Sequence, residues 1–133
     1  MRYIICVLMG FFLISCSGTG TKNFSAINSM MMSGKGQVFV GREKGYFNSA
    51  VVYDINLNGK HLGKLGNGET IVGDSIKGNN VLETPALFGG DRVSFVRKGK
   101  ENNYFIISYE TKITHGEVKL YEVTESSLRN RMQ

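Results

Sequence analysis

Cysteine, histidine and proline are scarce in this chain, with two, two and one residues in 133. No cysteine follows Cys16, so no disulfide can staple the chain beyond it, and a domain there must rest on a hydrophobic core. His61 and His115 have no cysteine or carboxylate beside them at metal-ligand spacing, which argues against a zinc site. A serine hydrolase needs a G-x-S-x-G elbow, and the chain has none. Residues 63–68 (GKLGNG) are rich in glycine but lack the phosphate-loop pattern, and turn formation accounts for them. Asp54, Asp74 and Asp91 are scattered over turns and polar faces and are not paired for acid–base work. These gaps argue against an enzyme, and with it against a metal, a cofactor or an evident small-molecule substrate. Also missing is an apolar run of the roughly 20 residues that a membrane-crossing helix needs.

The N-terminus carries a shorter run. After Arg2, residues 3–14 (YIICVLMGFFLI) are apolar apart from Gly10, and no charge appears before Lys22. That length fits an export signal. It ends in Leu13, Ile14, Ser15 and Cys16, which resembles the lipobox of bacterial lipoproteins. In that motif a branched apolar residue stands three before the cysteine, and a small residue just before it lets the peptidase close on the backbone. The thiol is the nucleophile that takes the lipid. An ordinary secretory signal would show an A-x-A-like site, and none follows. The expectation is a signal peptide over residues 1–15, which carries Cys6 away, and a palmitate-type lipid anchor on Cys16. Ser17 stands where Gram-negative lipoproteins kept in the inner membrane often have Asp, so it is compatible with the outer membrane.

Removing residues 1–15 leaves 118 residues, enough for one domain, with 15 basic and 11 acidic side chains. The mild basic excess suits anionic headgroups or envelope polymers, and suits a solvated surface equally well. Export separates the chain from nucleic acid, so no nucleic-acid partner is expected. Residues 16–35, rich in Ser, Gly, Thr and Asn and without sustained periodicity, read as the lipidated cysteine and a flexible tether. A coil of that length reaches roughly 25 Å. Met30, Met31 and Met32 interrupt it, either covering an edge of the domain or forming a soft contact patch.

From residue 36 to 133 the pattern is that of strands. Residues 50–57 place Val51, Tyr53, Ile55 and Leu57 on one face, and Asn58-Gly59 follows as a two-residue hairpin turn. Pairing Leu57 with Lys60 across that turn puts Ile55 opposite Leu62. Further turns are expected at 66–68, 78–80 and 89–91, a polar loop at 98–103, and a central strand at 104–111. Pro85 suggests an edge or a bulge. Residues 117–123 alternate again, and Thr124 caps a short helical tail. The predicted fold is all-β: a small antiparallel β-sandwich, or partly open barrel, of about seven or eight strands.

Several of these segments are similar to domain-of-unknown-function family 2846, a group of bacterial lipoprotein domains. The likeness lies in residues 38–42 (VFVGR), 51–63 (VVYDINLNGKHLG), 65–68 (LGNG), 98–106 (KGKENNYFI) and 118–125 (VKLYEVTE). Two departures stand out: Gly41 replaces a usual aromatic residue before Arg42, and residues 77–80 match a Pro-Gly-x-His segment only loosely. The resemblance implies a β-sandwich lipoprotein of the envelope and brings no catalytic residues.

Two groups of side chains are candidates for a binding surface. Arg92, Arg97, Lys98 and Lys100 cluster along one strand and its loop, suited to an anionic polymer or acidic partner. Arg42, Tyr46 and Phe47 flank the loop between the first two strands, where aromatic side chains make contact anchors. The expected function is non-enzymatic: a lipid-anchored protein, at the outer membrane facing the periplasm, that presents an edge or loop to an envelope protein. The alternative is an inhibitor or exclusion lipoprotein acting against a hydrolase, toxin or phage.

Overall fold

Alternating apolar and polar residues, punctuated by Gly and Asn, build eight strands and two short helices among the described residues. The computed structural model describes residues 18–45, 50–85 and 90–133. The expected signal segment and lipobox, with Leu13, Ile14, Ser15 and Cys16, lie outside the described residues, as do Tyr46, Phe47 and Phe88. In chain order the elements are α1 (Phe24–Ser33), β1 (Gln37–Arg42), β2 (Tyr53–Leu57), β3 (Lys60–Leu65) and β4 (Thr70–Asp74). They continue with β5 (Gly78–Thr84), β6 (Asp91–Arg97), β7 (Asn103–Thr111), β8 (Gly116–Val123) and α2 (Glu125–Met132).

The strands form two four-stranded sheets, in the orders β4-β1-β7-β8 and β3-β2-β5-β6. This is a β-sandwich and not a closed barrel. Between the sheets lie Val38, Val40, Ile71, Phe105, Ile107, Val118 and Leu120 from the first, and Tyr53, Ile55, Leu57, Leu65, Leu82 and Phe95 from the second. Phe95 and Phe105 meet across this core with ring centres 5.0 Å apart. One pair departs from the antiparallel expectation: β1 and β7 run parallel, Val38 beside Asn103 through Arg42 beside Ile107.

The outer face of the first sheet is also buried, beneath both helices. Phe39, Tyr104 and Ile106 pack there against Ile27 and Met31 of α1 and Leu128 of α2. Burial on both faces explains the unbroken apolar run Val38-Phe39-Val40 in β1. It also explains Gly41: a Cβ there would lie 2.7 Å from Leu128 Cδ1 and 3.0 Å from Met132 Sδ, so α2 settles close against the strand. The cap on α2 is the expected one, Thr124 accepting from the Ser127 amide at 3.2 Å.

The tether expectation is corrected by α1. Asn23 caps it by accepting from the Ala26 amide at 3.3 Å, and Ile27 and Met31, one turn apart, enter the core. Met31 is therefore a core residue, while Met30 and Met32 are exposed. The chain from residue 18 onward is thus part of the domain.

The β2–β3 hairpin turns at Asn58 and Gly59, both with positive φ (52° and 79°), as a type I′ turn requires. Leu57 pairs with Lys60, as expected. A bulge between Ile55 and Asn56 then shifts the register, so Gly63 stands opposite Ile55 in place of Leu62. Leu62, released from that pairing, packs over Gly73, where a Cβ would come within 2.8 Å of its methyl groups. Val51, expected on the buried face, precedes β2 and is exposed.

Residues 78–80 belong to β5 and are not a turn. Asn80 is 1% exposed and its side chain meets four partners. Its Oδ1 accepts from the Ile76 amide and Asn58 Nδ2, each at 2.9 Å. Its Nδ2 donates to the carbonyls of Ile76 (2.8 Å) and Gly78 (3.0 Å). Pro85 lies just past the end of β5, an interior strand, and cannot extend its ladder. Replacing Asn80 with Ala strands these buried groups and is expected to cost about 3 kcal/mol. Urea unfolding of N80A checks this, with a midpoint unchanged from wild type counting against it.

Candidate functional site

Residues 18–21, the first of the described residues, work as a strap. The Thr19 amide donates to the Lys64 carbonyl at 2.8 Å, and the Lys64 amide returns a bond to Thr19 Oγ1 at 2.9 Å. Thr21 and Thr70 then exchange a pair of backbone bonds, both 2.9 Å. Lys64 lies on β3 and Thr70 on β4, so the strap joins the two sheets along one open edge. The opposite edge is joined by Asp91 at the start of β6, whose carboxylate accepts from the Leu120 amide of β8 at 2.8 Å.

Beneath the strap lies a carboxylate, Glu69, only 2% exposed. Its Oε2 accepts from the Gly66 amide at 2.8 Å and the Gly20 amide at 3.1 Å. Buried anions need such donors. The contact requires glycine at 18: a Cβ there would lie 2.4 Å from both the Gly66 nitrogen and the Lys64 carbonyl oxygen, backbone atoms that cannot move aside.

Arg42 occupies the same corner and is 7% exposed, which corrects its assignment to a binding surface. Its Nη1 donates to the carbonyls of Val51 and Leu65, and its Cζ sits 4.7 Å over the Tyr53 ring. Burial lowers the Arg42 pKa from its ordinary value, while Tyr53 and Glu69 oppose that shift. Burial likewise raises the Tyr53 hydroxyl, with Arg42 acting against it and Tyr109 with it. A cleft of about 250 Å³ at this end is lined by Arg42, Lys44, Tyr53, Asn67 and Tyr109 among others.

The other expected cations do not form one cluster. Arg92 points outward at one end of β6 and pairs with Glu83 at 3.7 Å. Arg97, five residues on and so on the opposite face, turns inward, and its Nη1 donates to the Gly36 carbonyl at 3.2 Å. It is a joint between β6 and the entry to β1. Only Lys98 and Lys100 stand exposed together, in the turn after β6. That turn is at the opposite end of the sandwich from the strap, about 20 Å away along β1.

Each histidine meets one carboxylate at the surface: His61 Nε2 lies 4.0 Å from Asp54, and His115 Nε2 lies 3.0 Å from Glu117. The His115 contact holds the Glu117 carboxyl below its ordinary value. Among the described residues no three His, Cys, Asp or Glu side chains converge as metal ligands. None of their helices is long and apolar enough to cross a membrane.

No family model, curated protein or solved structure matches this chain. The likeness to family 2846 therefore rests on the motifs quoted above alone. The strap was missed in the sequence because its side chains are small and polar, and backbone atoms make most of its bonds. A signal was present in the alternation of Gly18, Thr19, Gly20 and Thr21, which is compatible with an extended segment.

A bulkier residue at 18 is expected to peel the strap away. In Gly18→Val the Thr19 and Thr21 amides should exchange with solvent at least tenfold faster, at a cost of about 1–2 kcal/mol for the lost bonds. Hydrogen exchange read by NMR checks this, and unchanged protection at both amides is the contrary result.

Proposed function

We propose that this is a lipid-anchored protein of the bacterial cell envelope, attached through Cys16, whose β-sandwich is a non-enzymatic module for binding an envelope protein. The observation that carries the reading is a run of 12 apolar residues ending in Leu13-Ile14-Ser15-Cys16, directly ahead of a folded domain. With Thr19 bonded to β3 and Thr21 to β4, a lipidated Cys16 lies at most about 11 Å of chain from the first bonded residue. Two or more acyl chains give lasting attachment, at about 0.8 kcal/mol for each buried methylene.

Anchored in this way, the sandwich has one end at the membrane and the other turned away from it. Lys98 and Lys100 are at the far end and offer positive charge to an acidic surface on the partner. The outer membrane, facing the periplasm, is the address that Ser17 favours.

Changing Cys16 to Ser is expected to move the protein from the membrane to the soluble fraction of the envelope and to abolish labelling by radioactive palmitate. A C16S protein that stays equally membrane-bound, or still takes label, removes the anchor and the function built on it.

A further inference from the structure

The end of the sandwich that receives the strap gathers cations from segments far apart in sequence. Lys22 comes from the end of the strap, Lys44 from the chain after β1, and Arg131 from the last turn of α2. Together with Asn67 they line a cleft of about 310 Å³. Arg131 also meets Glu43 at 3.3 Å, so the cleft keeps an excess of positive charge. Lys22 and Lys44 are both exposed.

A second feature points the same way. At Arg42 of β1, β7 stands at Ile107, and it runs on in the same direction for four more residues. The β7–β8 turn therefore projects beyond the cleft. At its tip is Ile113, the most exposed large apolar side chain of the described residues. A fully exposed isoleucine has no stabilising role in water. At a bilayer surface the pairing is useful, since the apolar residue enters the interface and the cations meet the phosphates.

We propose that this end of the domain is a membrane-docking face for anionic phospholipid, with Lys22, Lys44 and Arg131 meeting headgroup phosphates and Ile113 entering the interface. The orientation rests on the anchor reading above, because Cys16 lies two residues before the strap. Docking would hold the sandwich upright on its lipid, with Lys98 and Lys100 pointing away from the surface.

The test uses residues 17–133, which contain all eight strands and both apolar clusters, without lipid. It is therefore independent of whether Cys16 is acylated. Cosedimentation is measured with vesicles of phosphatidylcholine alone and of phosphatidylcholine with an equal share of phosphatidylglycerol. The expected result is binding to the anionic vesicles only, weakened roughly tenfold or more in K22Q/K44Q, since each basic residue near such a surface contributes about a fivefold factor. Ile113→Ser should weaken it a fewfold, and K98Q/K100Q should leave it unchanged. Circular dichroism melts confirm that the variants fold. Equal binding to both vesicle types, no binding to either, or K22Q/K44Q binding as wild type would overturn the proposal. So would loss of binding in K98Q/K100Q with K22Q/K44Q unaffected.

Discussion

A carboxylate removed from water destabilises a fold unless donors meet it. Glu69 is in that position at the corner where the strap, β1 and the β3–β4 turn converge. The Gly20 and Gly66 amides satisfy one of its oxygens, and the Arg42 guanidinium supplies opposite charge nearby. Much else at this end depends on that arrangement. The strap is held beside the cationic cleft, and the two sheets are joined along their open edge. Glycine is required on both sides, at 18 and 66, because the backbone itself reaches the buried anion.

The layers above and below the first sheet explain the rest of the architecture. Burying β1 and β7 on both faces permits a parallel pair in an otherwise antiparallel fold, since the helices supply the outer cover. The stacked rings of Phe39 and Tyr104, 5.4 Å apart, seat both helices on that sheet. Among the described residues no helix covers the second sheet, whose outward residues include Lys64 of β3 and Arg92, Ser94 and the exposed Val96 of β6. Without disulfides, the two apolar clusters and the buried side chains of Asn80 and Glu69 hold the domain together.

The β-sandwich was legible because period-two alternation and Asn-Gly turns are local signals. The β2–β3 turn, the central place of β7 and the Thr124 cap all follow from neighbours in sequence. Three features were not legible, for different reasons. Helix α1 is written in Ser, Asn and Met, with only Ile27 and Met31 facing the core, too thin a stripe to stand out from a polar linker. The bulge at Ile55 depends on Leu62 finding Gly73 on a neighbouring strand, a tertiary contact. Asn80 and Arg42 carry residue types typical of turns and surfaces, yet Asn80 is buried against Ile76, Gly78 and the hairpin turn at Asn58, and Arg42 against Val51, Tyr53 and Leu65 of later segments. The cationic cleft was invisible because its members are more than 100 residues apart at the extremes.

On the proposed anchoring, these features replace a domain on a loose leash with one seated at the surface. The central claim is therefore geometric: with Cys16 anchored as proposed, ordered structure is already present at Gly18, two residues further on. Neutron reflectometry of the lipidated protein on a supported bilayer measures the layer between headgroups and protein directly. The account requires protein density to begin at the headgroups with no resolved water layer. A hydrated gap approaching the roughly 25 Å reach of a free tether of residues 17–35 would contradict it.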